Sequence, residues 1–273
     1  MKYRFTNEVD GKTLFELLSE KIVGLKANVI RRQAKLGEIR VNGVKSKENV
    51  RLMSGDCVEI FLPQKALSVP PVKVVYSDDN IIVVYKPAGM DTENNLVAAL
   101  KEDMGRELFP VHRLDRNTEG LVVLAGDRES ESILVKAIKD RKIEKYYRAL
   151  LYGTFEVKEF TDVAYLVKDE KNNVVKVYRD KVKNSKRIET RYKVLKEYDD
   201  YSEVEIELVT GRTHQIRAHS AFLGHPVLGD GKYASREVLD KFDFKNQQLT
   251  AVRLVFAGLD GKLAYLNGKV IQV

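Results

Sequence analysis

Two segments of this 273-residue chain crowd polar side chains where folding alone would not ask for them. The first is Val111-His112-Arg113-Leu114-Asp115-Arg116-Asn117-Thr118-Glu119-Gly120-Leu121, a charged loop directly before an apolar run. Taken alone, an Asx-type turn in which Asp115 caps nearby backbone donors accounts for it. The second runs from Thr210 to His219 and gathers Arg212, His214 and Arg217 at the start of a predicted helix. Free N–H groups at a helix start attract anions, so these residues suit anion binding. A solvated helix start is the plain alternative, yet cations there oppose the macrodipole. That conflict between local preference and sequence favours a functional reason.

Several common chemistries are excluded. The chain has no Gly-x-Gly-x-x-Gly after a strand, no Gly-x-x-x-x-Gly-Lys and no Gly-x-Ser-x-Gly elbow. Its histidines, at 112, 214, 219 and 225, form no His-Glu-x-x-His pair, and the five-residue gap from 214 to 219 puts those two on different helix faces. The single cysteine, Cys57, can neither close an internal disulfide nor seed a thiolate cluster. No metal site is expected. A hydrolase working through Asp115 and a histidine would lack both a nucleophile elbow and a metal set.

The elements that must hold these segments are legible in outline. Leu14, Leu17, Leu18 and Ile22 recur at helical spacing, with Thr13 as N-cap and Glu16 three residues on. A second helix is expected from about Asn28 to Leu36, ended by Gly37, with Arg31, Arg32 and Lys35 on its polar face. The strand Glu38–Val41, an Asn42-Gly43 turn and a closing strand over Asp56–Leu62 complete a small module. Pro63 to Pro71 carries three prolines in nine residues and reads as a linker. Beyond it, strands are expected at Val72–Tyr76, Ile81–Tyr85, Leu121–Ala125 and around Val204, Ile206 and Leu208, where intervening glutamates give one wet face. A helix covers Glu131–Ile138, a short one His214–Leu223, and a late strand holds Leu254 and Phe256 with Asp260-Gly261 and Asn267-Gly268 turns behind it. The fold class is α+β, with a mixed, largely antiparallel sheet and decorating helices.

Four blocks within these elements look like those of the RluA-type RNA pseudouridine synthases. His112-Arg113-Leu114-Asp115, with Thr118 and Gly120-Leu121, resembles the family's active-site signature. Gly211 to His219, followed by His225-Pro226-Val227-Leu228-Gly229-Asp230, resembles its later block. Lys86-Pro87-Ala88-Gly89 is similar to its early element, and Lys145-Tyr146-Tyr147-Arg148-Ala149-Leu150 to its tyrosine-bearing strand. The blocks stand in family order across 72–273, and residues 1–66 resemble the ribosomal S-four-type RNA-binding domain, with 67–71 as the linker. Two departures stand out. Glu119 replaces the usual serine, and Met90-Asp91-Thr92-Glu93 replaces the usual apolar and histidine positions.

The resemblance implies isomerisation of uridine to pseudouridine without a cofactor, on structured ribosomal RNA first and transfer RNA second. It puts Asp115 at the sugar, as nucleophile or as base. An aspartate serves there as the anion, so a cation beside it helps, and Arg217 is its partner by family position. The target base must leave the stack first. Arg113 matches the residue that enters the vacated space, and Tyr147 the aromatic that stacks on the uracil. His112 and His214 are expected to shape the pocket, and Arg212 to join them in binding substrate. Arg31, Arg32, Lys35, Arg40 and Arg51 are the expected phosphate contacts of the first module. A catalytically inactive RNA-binding or ribosome-assembly factor is the alternative.

Composition agrees with an RNA partner. Apolar residues make up 44 % and charged residues 32 %, ordinary for a globular chain, and no apolar run is long enough to span a bilayer. The N-terminus lacks the apolar block of a signal peptide, so a cytoplasmic monomer with no membrane partner is expected. Of the formal +7, a net +5 sits in residues 1–66 and +2 in the other 207 residues. Such asymmetry suits a polyanion-binding unit attached to a nearly neutral body.

Overall fold

The computed structural model describes residues 1–22, 25, 27–63, 72–169 and 174–273. It separates into two units, Met1–Pro71 and Val72–Val273, each with its own core. The predicted linker at 67–71 lies outside the described residues.

In the first unit, strand β1 (Lys2–Thr6) precedes helices α1 (Leu14–Lys21) and α2 (Ala27–Lys35), followed by β2 (Ile39–Val41), β3 (Val44–Lys45) and β4 (Cys57–Phe61). Helix α1 starts where its sequence asks. Glu16 N–H donates to Thr13 Oγ1 at 3.3 Å, and Thr13 N–H returns a bond to Glu16 at 2.9 Å. Asn42 and Gly43 both take positive φ, 50° and 81°, as a two-residue hairpin between β2 and β3 requires. The strands pair antiparallel in the order β1-β4-β2-β3, and Leu14, Leu17, Leu18, Ile30, Ala34 and Ile60 fill the core beneath them. Strand β1 was not expected from sequence. Its partner β4 lies more than fifty residues on, with Lys2 opposite Phe61, so its conformation comes from tertiary pairing.

The second unit runs β5 (Lys73–Ser77), β6 (Ile81–Lys86), α3 (Val97–Met104), β7 (Phe109–Pro110), β8 (Glu119–Ala125), α4 (Arg128–Lys139), β9 (Ile143–Tyr152), β10 (Glu159–Asp169), β11 (Val174–Tyr178), β12 (Lys186–Glu197) and β13 (Tyr201–Leu208). Helices α5 (Gln215–Phe222) and α6 (Arg236–Lys241) follow, then β14 (Leu249–Phe256) and β15 (Val270–Gln272). Among the described residues eleven strands form one sheet along the path β11-β10-β12-β13-β9-β14-β8-β6-β5, with β15 beside β14 and β7 beside β8. The mixed, largely antiparallel α+β architecture is the one expected. Its parallel ladder joins β14 to β8, with Ala251 opposite Gly120. That approach demands glycine: φ of Gly120 is 109°, and a Cβ there would lie 2.1 Å from the Ala251 carbonyl oxygen.

Ile81, Val83, Leu121, Val123, Leu254 and Phe256 build the central core, closed by Leu134 and Ala137 of α4. One turn reading is corrected here. Asp260-Gly261 does not simply reverse the chain but opens a 3₁₀ segment, Gly261–Leu266, whose Leu263 and Leu266 are fully buried in this core. On the outer face of β13, Glu203, Glu205 and Glu207 each meet an arginine, Arg148, Arg253 and Arg191, at 3.2, 3.1 and 2.9 Å. The inner face carries Val204 and Ile206, and the candidate site lies on that side with Tyr147, which pairs with Ile206.

Candidate active site

The loop that carries Asp115 is held by buried polar contacts. Lys86, at the end of β6, is fully buried, and its Nζ donates to the carbonyls of Met90 (2.8 Å), Pro87 (3.1 Å) and Arg116 (3.2 Å). Burial pulls its pKa down to about 8, while the charges of Asp115, Glu119 and Asp91 oppose the fall. Leu114 N–H donates to Thr92 Oγ1 at 3.2 Å, and Gly89 and Arg116 exchange two bonds, at 2.8 and 3.0 Å. Gln247 Nε2 donates to Thr118 Oγ1 at 2.5 Å across 129 residues of chain. The turn itself closes through the backbone, Thr118 N–H to Asp115 C=O at 3.0 Å. An Asx turn is therefore not the reason for Asp115. Its carboxylate instead accepts from Arg217 Nη1 at 2.9 Å.

Arg217 reaches that point from α5, which is not the solvated helix the sequence allowed. Gln215 to Ser220 are all buried. Two side chains bolt the helix to the sheet. Gln215 Nε2 donates to Glu189 C=O (3.1 Å) and Thr190 Oγ1 (3.0 Å), while its Oε1 accepts from Thr210 Oγ1 (2.9 Å) and Arg212 N–H (3.1 Å). His219 bridges Thr190 Oγ1 (2.9 Å) and Asp162 (2.7 Å). Arg217 then presents both edges of its fork. Nε and Nη2 grip Asp230 bidentately at 2.7 and 2.8 Å, leaving Nη1 for Asp115. Burial works against this cation, yet the hydrogen bonds and charges of Asp230, then of Asp115, hold its pKa above the ordinary value. His214, in the left-handed region at φ 53°, turns Nε2 to within 3.9 Å of Asp115 Oδ2.

The other predicted site residues divide into two groups. Tyr147 is buried on β9, and Asp115 is close enough to add to the effect of burial in raising its phenol pKa. Tyr146 points to the opposite face, its ring under Arg253 at 3.9 Å, as strand alternation requires. Arg113 is exposed and pairs with Glu93 at 2.9 Å. His112 turns inward: Val123 N–H donates to its Nε2 at 3.0 Å, and burial, with the charge of Lys145, pushes its pKa down to about 3. It braces the loop against β8 through that nitrogen. Arg212 is exposed, and its backbone N–H, not its guanidinium, enters the Gln215 network. Arg31, Arg32, Lys35 and Arg51 of the first unit are exposed, and Arg40 is half-buried opposite Glu59.

Both departures from the family pattern acquire roles. Asp91 caps the helical turn Thr92–Leu96 by accepting from Asn94 and Asn95 N–H, Thr92 holds Leu114, and Glu93 holds Arg113. Glu119 shares its face of the sheet with Arg148 through their common neighbour Thr250, away from Tyr147, and accepts from Tyr85 Oη at 2.9 Å. Sequence reasoning gave no role to Asp230, Lys145 or Tyr233. Asp230 stood in a quoted block, and Lys145 is two residues from Tyr147 on the same strand face, with its pKa lowered by burial. Tyr233 carried no such signal.

The arrangement offers an aspartate beside a fixed guanidinium, with one carboxylate oxygen occupied and its side chain 21 % exposed, next to a buried tyrosine. Such a site can bring a carboxylate to a sugar or base that enters from solvent. Among the described residues no group of three His, Cys, Asp or Glu side chains converges as a metal ion would require. No helix among them is long and apolar enough to cross a membrane.

The profile described as RNA pseudouridylate synthase matches residues 80–222, more than half of the chain and the stretch that supplies both Asp115 and Arg217. The chain belongs to this family. As an RNA pseudouridine synthase it is an isomerase, and its relatives extend the likeness beyond that stretch. The ribosomal large subunit pseudouridine synthase C of Salmonella typhi is 32 % identical over 287 residues, covering 96 % of this chain and 85 % of the relative. The synthase of the same name from Vibrio cholerae is 29 % identical, covering 90 % and 83 %. An uncharacterized RNA pseudouridine synthase of Bacillus subtilis, YlyB, is 30 % identical, covering 92 % and 90 %. The solved structure of human RNA pseudouridylate synthase domain containing 1 superposes with a TM-score of 0.65 at 25 % identity, covering 76 % of this chain and 83 % of that one.

Proposed function

We propose that this synthase isomerises uridines in structured ribosomal RNA, with Asp115 as the catalytic carboxylate. The reaction breaks the bond from uracil N1 to ribose C1′ and forms one from C5 to C1′. C5 releases a proton and N1 gains one, so no oxidant or reductant is needed. Arg217, anchored on Asp230, holds Asp115 in place by their 2.9 Å contact, and that contact is the observation carrying the reading. Tyr147 stacks on the extruded uracil. Arg113 leaves Glu93 to fill the space the base vacates, and a surface pair of this kind, worth about 0–1 kcal/mol, is little hindrance. His112 and His214 shape the pocket and Arg212 meets the RNA backbone at its edge.

The names of the large-subunit relatives favour ribosomal RNA, and transfer RNA is the second substrate class. Residues 1–66 act as an S-four-type RNA-binding domain joined by 67–71 to the catalytic domain, 72–273. Its cations Arg31, Arg32, Lys35, Arg40 and Arg51 contact phosphates, which gives affinity and register. The protein works as a cytoplasmic monomer.

The test is tritium release from RNA labelled at uracil C5. The wild-type chain is expected to release tritium from ribosomal RNA, and Asp115→Ala to release none while its melting temperature and RNA affinity persist. Turnover by Asp115→Ala would remove that residue from its role. A wild-type chain silent on both RNA classes would favour an inactive RNA-binding factor.

A further inference from the structure

Tyr233 touches both groups that face Asp115. Its hydroxyl lies 2.8 Å from His214 Nδ1, its ring meets the imidazole edge-on at 5.7 Å between centroids, and the Arg217 guanidinium sits 5.2 Å from its ring centroid. The same hydroxyl takes a second partner, the N–H of Val175 in β11, at 3.0 Å. We propose that Tyr233 is a positioning residue that fixes His214 in the tautomer whose Nε2–H points at the Asp115 carboxylate. The inference rests on the reading of Asp115 as the catalytic carboxylate.

Proton accounting at both ends of the imidazole gives this answer. An amide N–H can only donate, so Tyr233 Oη accepts from Val175. The hydroxyl hydrogen is then left for His214 Nδ1, which accepts it as the unprotonated ring nitrogen in the proposed tautomer. The opposite choice would have Oη accept two N–H bonds and leave its own hydrogen without an acceptor among the described residues. At the other end, Nε2 stands 3.9 Å from Asp115 Oδ2. A lone pair there would face a carboxylate oxygen, whereas an N–H faces it favourably. Burial, helped by the nearby Arg217 and Lys232 charges, lowers the pKa of His214 against the pull of Asp115 and Asp230, which favours the neutral ring.

His214 is then a donor, not a base, at this site. A separation of 3.9 Å exceeds a hydrogen bond, so the N–H is poised for an oxygen that enters beside Asp115. A ribose hydroxyl of the target nucleotide has the chemistry to accept it. Tyr233, linking β11 to α5, keeps that donor from turning over.

The experiment pairs ¹⁵N NMR of the full-length, substrate-free protein with steady-state kinetics. Wild-type His214 is expected to show the Nε2–H pattern. Tyr233→Phe, which keeps the ring, is expected to mix the tautomers and lower kcat about tenfold, the scale of one lost hydrogen bond, with KM nearly unchanged. In His214→Gln, whose amide can both accept at one end and donate at the other, adding Tyr233→Phe should lower kcat much less than it does with His214 present. A wild-type Nδ1–H pattern would overturn the proposal, as would a Tyr233→Phe protein with tautomer and kcat both unchanged. So would an undiminished loss of kcat in the His214→Gln background. The NMR result needs no RNA, so failure of the Asp115 assignment would be seen separately, in the Asp115→Ala assay.

Discussion

On α2 of the first unit, Arg31, Arg32 and Lys35 stand exposed along one face. In the second unit Arg217 is 10 % exposed and locked between two carboxylates, one of them fully buried. The exposed set keeps its hydration and its freedom, which suits contacts with a mobile, repeating phosphate backbone. The buried one has lost both and costs several kcal/mol in desolvation, recovered only through its three charged hydrogen bonds. Positive charge therefore stands in two settings in one chain, hydrated on the surface of one unit and desolvated between two carboxylates in the other.

Removing the buried partner should give the largest effect. Asp230→Ala leaves Arg217 buried with Asp115 alone and is expected to cost about 3–5 kcal/mol, read by urea denaturation. A loss below 1 kcal/mol would mean that Arg217 is less committed to Asp230 than its geometry indicates. Reversal of Arg31, Arg32 and Lys35 to glutamate should leave stability almost untouched but weaken RNA binding and make the log–log salt slope shallower by roughly 2–3. An unchanged slope would show that this helix face meets no phosphate.

The smallest effect sharpens the contrast through pH. All four histidines lie in the second unit. His112 is held near 3 against an ordinary 6.5, so below about 6.5 the unfolded chain binds a proton that the folded chain refuses. Stability is therefore lost as pH falls from about 6.5 toward 3, and the lowered pKa values of His214 and His219 act in the same direction. Denaturation at pH 7.5, 6 and 5 should show this decline, made shallower by His112→Gln, which keeps an acceptor for Val123 N–H. An identical slope in the variant would assign the acid loss to other groups.

What the sequence revealed was local, and what it hid was long-range. Thr13 with Glu16, Asn42-Gly43 and the apolar run of β6 carry their conformations in a few neighbouring residues. Strand β1 and the 3₁₀ segment at Gly261–Leu266 do not, because each is fixed by a partner far along the chain. The same holds for the site. His112, His214 and Arg217 stood out through motifs, but the partners their side chains meet, Val123, Tyr233 and Asp230, did not follow from those motifs. His112 shows the limit: its type gave no sign that its Nε2 would accept from Val123 N–H. Glu119 shows it again, since one step along a strand moved its carboxylate to the other face.

The parallel ladder between β8 and β14 bears on how the enzyme comes into being. Strand β14 sits mid-sheet, between β9 and β8, although it follows both of them, and α5, in the chain. Gln247, just ahead of it, is also the residue that ties down Thr118. A nascent chain that has emerged only as far as α5 holds both Asp115 and Arg217 yet lacks the strand that completes the sheet behind them. At about 5–20 residues per second, several seconds of synthesis separate the first appearance of Asp115 from that of β14. The setting that Asp115 and Arg217 share in this fold therefore waits on β14.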